Sequence, residues 1–192
     1  RIEQMLMQDV GPLPVAGALL VQRARRLGLV QARTILAHGT EEPLDFLRRI
    51  TYLQHLAPWH LEEARDAGVW KETWTALPNF IDTEHFRPRD AQDGALRREL
   101  GIPEDAVVVL SAAAITRHHK RVEYVLAEFA GLVERRPDLP LRLVLAGGWE
   151  NDTDALVEEG TRRLGDQVRF LVRFPRARMP ELYRSADVFT LG

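Results

Sequence analysis

Leu77-Pro78-Asn79-Phe80-Ile81-Asp82-Thr83-Glu84-His85-Phe86-Arg87-Pro88 is the stretch on which the reading of this chain turns. Pro78 fixes its own φ and pushes Leu77 into an extended conformation. Asn79 and Asp82 have short polar side chains that hydrogen-bond nearby backbone and hold a turn. Taken alone, such a stretch is a connector. The segments on either side decide what it connects.

Short β-like runs alternate with longer helical patterns throughout, which predicts an α/β protein with parallel sheets. Upstream, Met5-Leu6-Met7 reads as a strand and residues 15–27 as a helix. Thr34-Ile35-Leu36-Ala37 reads as a strand ending at His38-Gly39. Helices at residues 43–49 and 58–67 flank a weaker strand at 50–53, and residues 73–77 run into the connector. Gly68 suits the left-handed residue just past a helix. Downstream, a helix ends at Leu100 with Gly101 and Pro103 as stop signals. Residues 106–113 form an apolar run free of charge, as expected of a strand buried on both faces. Residues 120–135 place Val122, Val125, Phe129, Leu132 and Val133 along one helical side. Strands at 141–146, 168–171 and 188–191 alternate with helices at 154–164 and 179–184, giving β-α-β-α-β-α-β.

The 192 residues are 45% hydrophobic and 28% charged with a net charge of −2, an ordinary globular composition with no sign of nucleic-acid binding. The absence of cysteine excludes disulfides and thiolate metal sites. The apolar run Pro12–Val21 is too short to span a bilayer. The basic run Gln22-Arg23-Ala24-Arg25-Arg26 reads first as an exposed helix face and second as a peripheral membrane contact. No secretory signal is read, and the expected location is cytoplasmic, with the membrane periphery as the variant. Residue 1 is Arg, and a strand-like run stops at Gly192, so the chain is expected to be part of a longer protein.

The connector closely resembles the P-N-G-V-D-x-x-x-F-x-P signature of retaining nucleotide-sugar glycosyltransferases of GT-B fold, glycosyltransferase family 4. The block Val168-Arg169-Phe170-Leu171-Val172-Arg173-Phe174 and Met179-Pro180-Glu181-Leu182-Tyr183-Arg184-Ser185-Ala186-Asp187-Val188-Phe189 resembles that family's V-x-F-x-G-x-V … L-x-x-L-Y-x-x-A-D-V-F. The resemblance implies two Rossmann-like parallel-sheet domains, both incomplete in this chain. Residues 1–88 would be the C-terminal part of an acceptor domain with its linker. Residues 89–192 would be the N-terminal part of a donor domain. The family's E-x7-E motif would fall past Gly192, which implies a fragment inactive alone.

The resemblance also assigns roles. Ala114-Ile115-Thr116-Arg117-His118-His119-Lys120-Arg121 stands where the family has G-R-L-x-x-x-K-G, whose Arg and Lys grip the donor pyrophosphate. Lys120 matches the Lys. Ile115 occupies the Arg position, Arg121 replaces the Gly, and Arg117 is the candidate substitute cation. A solvated basic helix start is the competing reading of these charges, although cations at a helix N-terminus oppose its dipole. Gly147-Gly148 stands at the family's glycine turn, where backbone approaches the donor, and glycine is also a common turn device. The family loop that holds the nucleobase through backbone groups falls on Arg173 and Phe174, with Val172 where Gly is usual. Phe80 likewise replaces a Gly and should avoid positive φ. Leu182 and Tyr183 read as packing, and Asp187 as a cap or turn residue. His38 resembles the catalytic His that reaches the donor sugar. Glu41 and Glu42 could contact an acceptor or simply open a helix.

No metal and no cofactor are expected. His118 and His119 are adjacent and point apart, and there is no G-x-G-x-x-G dinucleotide fingerprint. The partners implied are a nucleotide-diphosphate sugar and a carbohydrate, lipid-linked or small-molecule acceptor hydroxyl. Two other activities share this reading: a nucleotide-sugar epimerase of the same architecture, and a non-catalytic nucleotide-binding scaffold.

Overall fold

The structure, a computed structural model, describes residues 5–7, 12–38, 43–90 and 94–192; for residues 5–7, 12–15 and 38 it describes the backbone only. Glu41 and Glu42, and the side chain of His38, lie outside the described residues. The chain divides into two units, Arg1–Ile81 and Asp82–Gly192, so the boundary falls inside the connector.

The first unit carries four parallel strands in the order β1 (Met5–Met7), β2 (Thr34–His38), β3 (Leu53–His55), β4 (Trp74–Ala76). Helices α1 (Pro12–Arg26), α2 (Leu44–Leu47) and α3 (Pro58–Asp66) alternate with them. Pro58 opens α3 at a position where its missing N–H is no loss. Gly68 follows α3 with φ +66. Ala18, Leu36, Leu47, Leu53, Ala64 and Trp74 form the core. The third strand begins three residues later than the sequence suggested. Ile50 is fully buried, but its N–H closes a turn onto Leu47 and its carbonyl accepts from the Trp74 indole and Lys71. Its backbone is therefore spent before a ladder can start.

The second unit holds β5 (Val107–Ala112), β6 (Leu141–Gly147), β7 (Val168–Val172) and β8 (Val188–Phe189), all parallel, in the order β7-β6-β5-β8. Helices α4 (Ala95–Glu99), α5 (Val122–Arg135), α6 (Thr153–Leu164) and α7 (Met179–Ser185) accompany them. Successive strand residues face opposite sides. Val107 and Val109 pack with α5 and α6 residues such as Phe129 and Leu156, while Val108 and Leu110 pack with Leu96 of α4 and Leu182 of α7. This two-sided burial explains the charge-free run at 106–113. Helix α5 buries Val122, Val125, Leu126, Phe129 and Ala130, one stripe at 3–4 residue spacing. Among the described residues no helix is long and apolar enough to cross a membrane.

The connector's own residues explain its pattern. The Asp82 carboxylate accepts from the N–H groups of Glu84 and His85 at 3.0 and 3.1 Å, folding the turn. Phe86 then packs beside Tyr183 of α7, their centroids 6.1 Å apart. Phe80 is 87% exposed, and its φ is not positive.

Asp187 does more than turn the chain into β8. Its carboxylate accepts the Val108 N–H at 2.8 Å and the Arg97 guanidinium at 2.7 Å, and it pairs with Arg89 at 3.3 Å. Burial alone would raise its pKa. The Val108 N–H, Arg97 and Arg89 together hold it below the ordinary value. A carboxyl with a depressed folded pKa stabilises fully above its unfolded pKa of about 4 and loses that contribution as pH falls through the folded value. Asp187→Asn therefore lowers unfolding free energy at pH 7 by about 2 kcal/mol and flattens the acid limb of the stability curve. Unchanged denaturant midpoints at pH 7 and pH 3 would contradict this.

At the other end of the sheet, a Cβ on Gly147 would lie 1.6 Å from the Ala113 carbonyl oxygen, whereas one on Gly148 would meet nothing within 4 Å. Gly147→Ala should cost about 3 kcal/mol through forced backbone separation, and Gly148→Ala less than about 0.5 kcal/mol. Equal costs in chemical denaturation would refute the close approach of β5 and β6.

Candidate functional site at the carboxyl ends of β5–β8

Strand β5 is flanked by β6 on one side and β8 on the other, so the order reverses at the β5–β8 boundary. In open parallel sheets the connections leaving two such strands diverge to opposite faces, and ligands bind in the crevice beyond their carboxyl ends. The segment Ala113–Arg121 leaves β5 there. The chain leaving β8 passes directly beside it: a Cβ on Gly192 would lie 2.6 Å from the Lys120 carbonyl oxygen and 2.7 Å from that of Arg121. Lys120 is half-buried and, among the described residues, has no carboxylate in ion-pair range.

The segment is held from α6. The Thr153 hydroxyl, fully buried, donates to the Ile115 carbonyl at 2.8 Å. The Asp152 carboxylate accepts the Arg117 N–H at 2.8 Å, and the Glu159 carboxylate meets the Arg117 guanidinium at 2.6 Å. The Arg117 N–H, assisted by the Thr116 hydroxyl, draws the Asp152 pKa down against a small burial cost. The Arg117 guanidinium does the same for Glu159, and its own pKa rises in return. Arg117 is therefore already engaged. Ile115 is 1% exposed, sits in the core and bridges to Trp149, so the position of the family Arg is here a packing position.

Arg121 precedes α5 with φ 45. That left-handed backbone accounts for a glycine in the family pattern, and Arg adopts it here at a conformational cost. His118 and His119 are exposed with ring centroids 5.9 Å apart. Among the described residues no cluster of three His, Asp or Glu could hold a metal.

Two further turns lie at the same edge. Gly147's missing side chain serves the approach to Ala113, while Gly148 faces open space. Arg173, just after β7, has φ 57 and gives its N–H to the Gly147 carbonyl at 2.7 Å. That donor is already used within the protein. Val172, where glycine was the family habit, stays in the strand, and the left-handed residue is the next one. The Phe174 ring packs into the lower core with Met179 and Leu182, under the Arg178 guanidinium at 5.6 Å.

Lys120, Arg117, Gly147, Gly148, Arg173 and Phe174 thus all belong to the carboxyl edge of one sheet. His38 closes β2 in the first unit, where its backbone is in register with His55. Sequence reasoning missed Asp152, Thr153, Glu159 and Trp149. The first two looked like an ordinary helix start, and Glu159 lies 42 residues from its partner.

The sequence pattern of the family described as Glycosyl transferases group 1 matches residues 92–192, a little over half of the chain. A D-inositol 3-phosphate glycosyltransferase of Catenulispora acidiphila is 28% identical over 187 residues, covering 90% of this chain and 44% of that protein. The alpha-galactosylglucosyldiacylglycerol synthase of Streptococcus pneumoniae is 26% identical over 152 residues, covering 77% of this chain and 39% of that protein. The chain thus spans less than half the length of these curated relatives. Among solved structures, Anabaena HepE in complex with UDP-glucose superposes with a TM-score of 0.66 at 19% identity, covering 90% of this chain and 50% of that one. The fold shared with such neighbours is the α/β, parallel-sheet fold of the GT-B glycosyltransferases. The chain belongs to the glycosyl transferases group 1 family.

Proposed function

We propose that the protein is a retaining glycosyltransferase of family 4 type, moving a sugar from a nucleotide-diphosphate sugar to an acceptor hydroxyl without a metal. The observation that carries the reading is Lys120, which has no carboxylate partner among the described residues, at the point where the strand order reverses between β5 and β8. Negative charge builds on the diphosphate as the glycosidic bond breaks, and a pre-positioned ammonium stabilises it there. Arg117, paired with Glu159, keeps the segment in place. The acceptor attacks the face from which the diphosphate departs. The chemistry is one of position and electrostatics. The relatives' names support two acceptor classes to assay first, a phosphorylated inositol and a glycolipid.

Lys120→Ala removes one charge-assisted hydrogen bond and should lower transfer from UDP-glucose at least about tenfold, with Lys120→Arg retaining more. Wild-type rates in Lys120→Ala would remove this residue from the site. Calorimetry with UDP and GDP is the companion measurement, since no binding at millimolar nucleotide would favour a scaffold over an enzyme. Transfer should also proceed at an unchanged rate in excess EDTA. Loss of activity restored by a divalent cation would contradict the metal-independent reading.

A further inference from the structure

Between Asp9 and Glu41 the chain carries Arg23, Arg25, Arg26 and Arg33 and no acidic residue. The fold gathers three of these guanidinium-bearing residues around one cavity of the first unit. Arg25, Arg26, Arg33, Thr34, Thr51 and Tyr52 line it, and its volume is about 270 Å³. Gln22 completes the wall and ties α1 to the chain before β3, its carboxamide lying 3.3 Å from the Thr51 hydroxyl. Thr34 opens β2 and His38 closes it, so the two are about 13 Å apart along the strand. The cavity therefore belongs to the amino edge of this sheet, at the opposite end of β2 from His38.

The helix dipole is the ordinary reason for arginines in a last turn. It does not account for this set. The chain closes the end of α1 with its own backbone: the carbonyls of Arg23, Ala24 and Arg25 accept from the N–H groups of Leu27, Leu29 and Gly28, and Gly28 takes φ +72 to make that turn. Those guanidiniums are not needed to cap carbonyls. Arg33 lies well past the helix. Among the described residues Arg25, Arg26 and Arg33 take part in no ion pair, and like charges gathered around one cavity repel.

A second observation points the same way. Thr34 is 7% exposed, and its hydroxyl oxygen is buried without a hydrogen-bond partner. A buried hydroxyl in that state carries a desolvation penalty that nothing in the protein offsets. The wall thus combines three cations with an unused hydroxyl, and an oxyanion satisfies both. Guanidinium forks match phosphate oxygens in pairs. Cavities that hold drug-sized ligands start near about 300 Å³, so this one suits a phosphate with a small substituent.

We propose that Arg25, Arg26, Arg33 and Thr34 form a phosphate-binding site at the amino edge of the first sheet. It is independent of the donor reading, and it would hold the protein on a phosphorylated molecule or on the phosphate of a lipid headgroup.

The test is calorimetric titration of inorganic phosphate into the full-length protein carrying Lys120→Ala, so that the edge beyond β5 contributes no signal. Binding should be saturable and absent when chloride replaces phosphate at equal ionic strength. Arg26→Gln and Arg33→Gln should each weaken it by about tenfold or more, with Arg33→Lys recovering part of the loss. Thr34→Val should weaken it by about two- to tenfold yet raise the melting temperature without phosphate, which a damaged fold would not do. Flotation with vesicles of phosphatidylcholine and phosphatidylglycerol in equal parts separates the two sources. Vesicle binding lost in Arg33→Gln and weakened in Thr34→Val supports the site with a lipid headgroup in it. Phosphate binding without vesicle binding supports it with a soluble phosphorylated ligand. No saturable phosphate binding, or wild-type affinity in both Arg33→Gln and Thr34→Val, overturns the site and leaves the donor reading untouched.

Discussion

Strand β5 has to pair with β6 on one side and β8 on the other, and the rest of the second unit follows from that. Two parallel neighbours leave no room for its exit within the sheet plane, so Ala113–Arg121 must turn out over the carboxyl edge. Asp187 secures one end of this arrangement by tying the entry of β8 to the Val108 N–H and to Arg97. Gly147 secures the other, since any side chain there would collide with the Ala113 carbonyl. The segment bearing Lys120 leaves at the Gly147 end, where Thr153 and Asp152 hold it.

The electrostatics are arranged around the same segment. Asp152 accepts the backbone N–H of Arg117 and Glu159 pairs with its guanidinium, which keeps a basic stretch folded against a helix N-terminus that would otherwise repel it. Lys120 is spared such a partner among the described residues. The division separates a cation used to hold the loop from one with no carboxylate partner among the described residues. Positive charge in the segment is thus unequal in its availability, although the residues lie three apart.

Much of the fold was legible because its signals are local. The helix stripe of α5, the charge-free β5 and the glycines past helices are all read from neighbours in sequence. The third strand was misplaced because the fate of the Ile50 carbonyl depends on Trp74 and Lys71, more than twenty residues on. Where a family pattern marks positions, the sequence was enough to put them at one sheet edge: Lys120 beyond β5, the glycine turn after β6 and the loop after β7. The site was illegible where side chains substitute for the pattern. Nothing local says that Ile115 is buried, that Arg117 is claimed by Glu159, or that the Arg173 N–H is spent on Gly147. Asp187 looked like a turn residue because a carboxylate's distant partners leave no trace in its neighbours. Arg121 is instructive in the opposite sense. Its left-handed φ shows that the backbone shape of the family glycine persists when the glycine does not.

The most direct test of the account is a crystal structure of the full-length protein with bound UDP. The Lys120 ammonium should lie about 2.7–3.0 Å from an oxygen of the diphosphate, at the carboxyl ends of β5 and β8. A diphosphate bound elsewhere, with Lys120 directed into solvent, would contradict it.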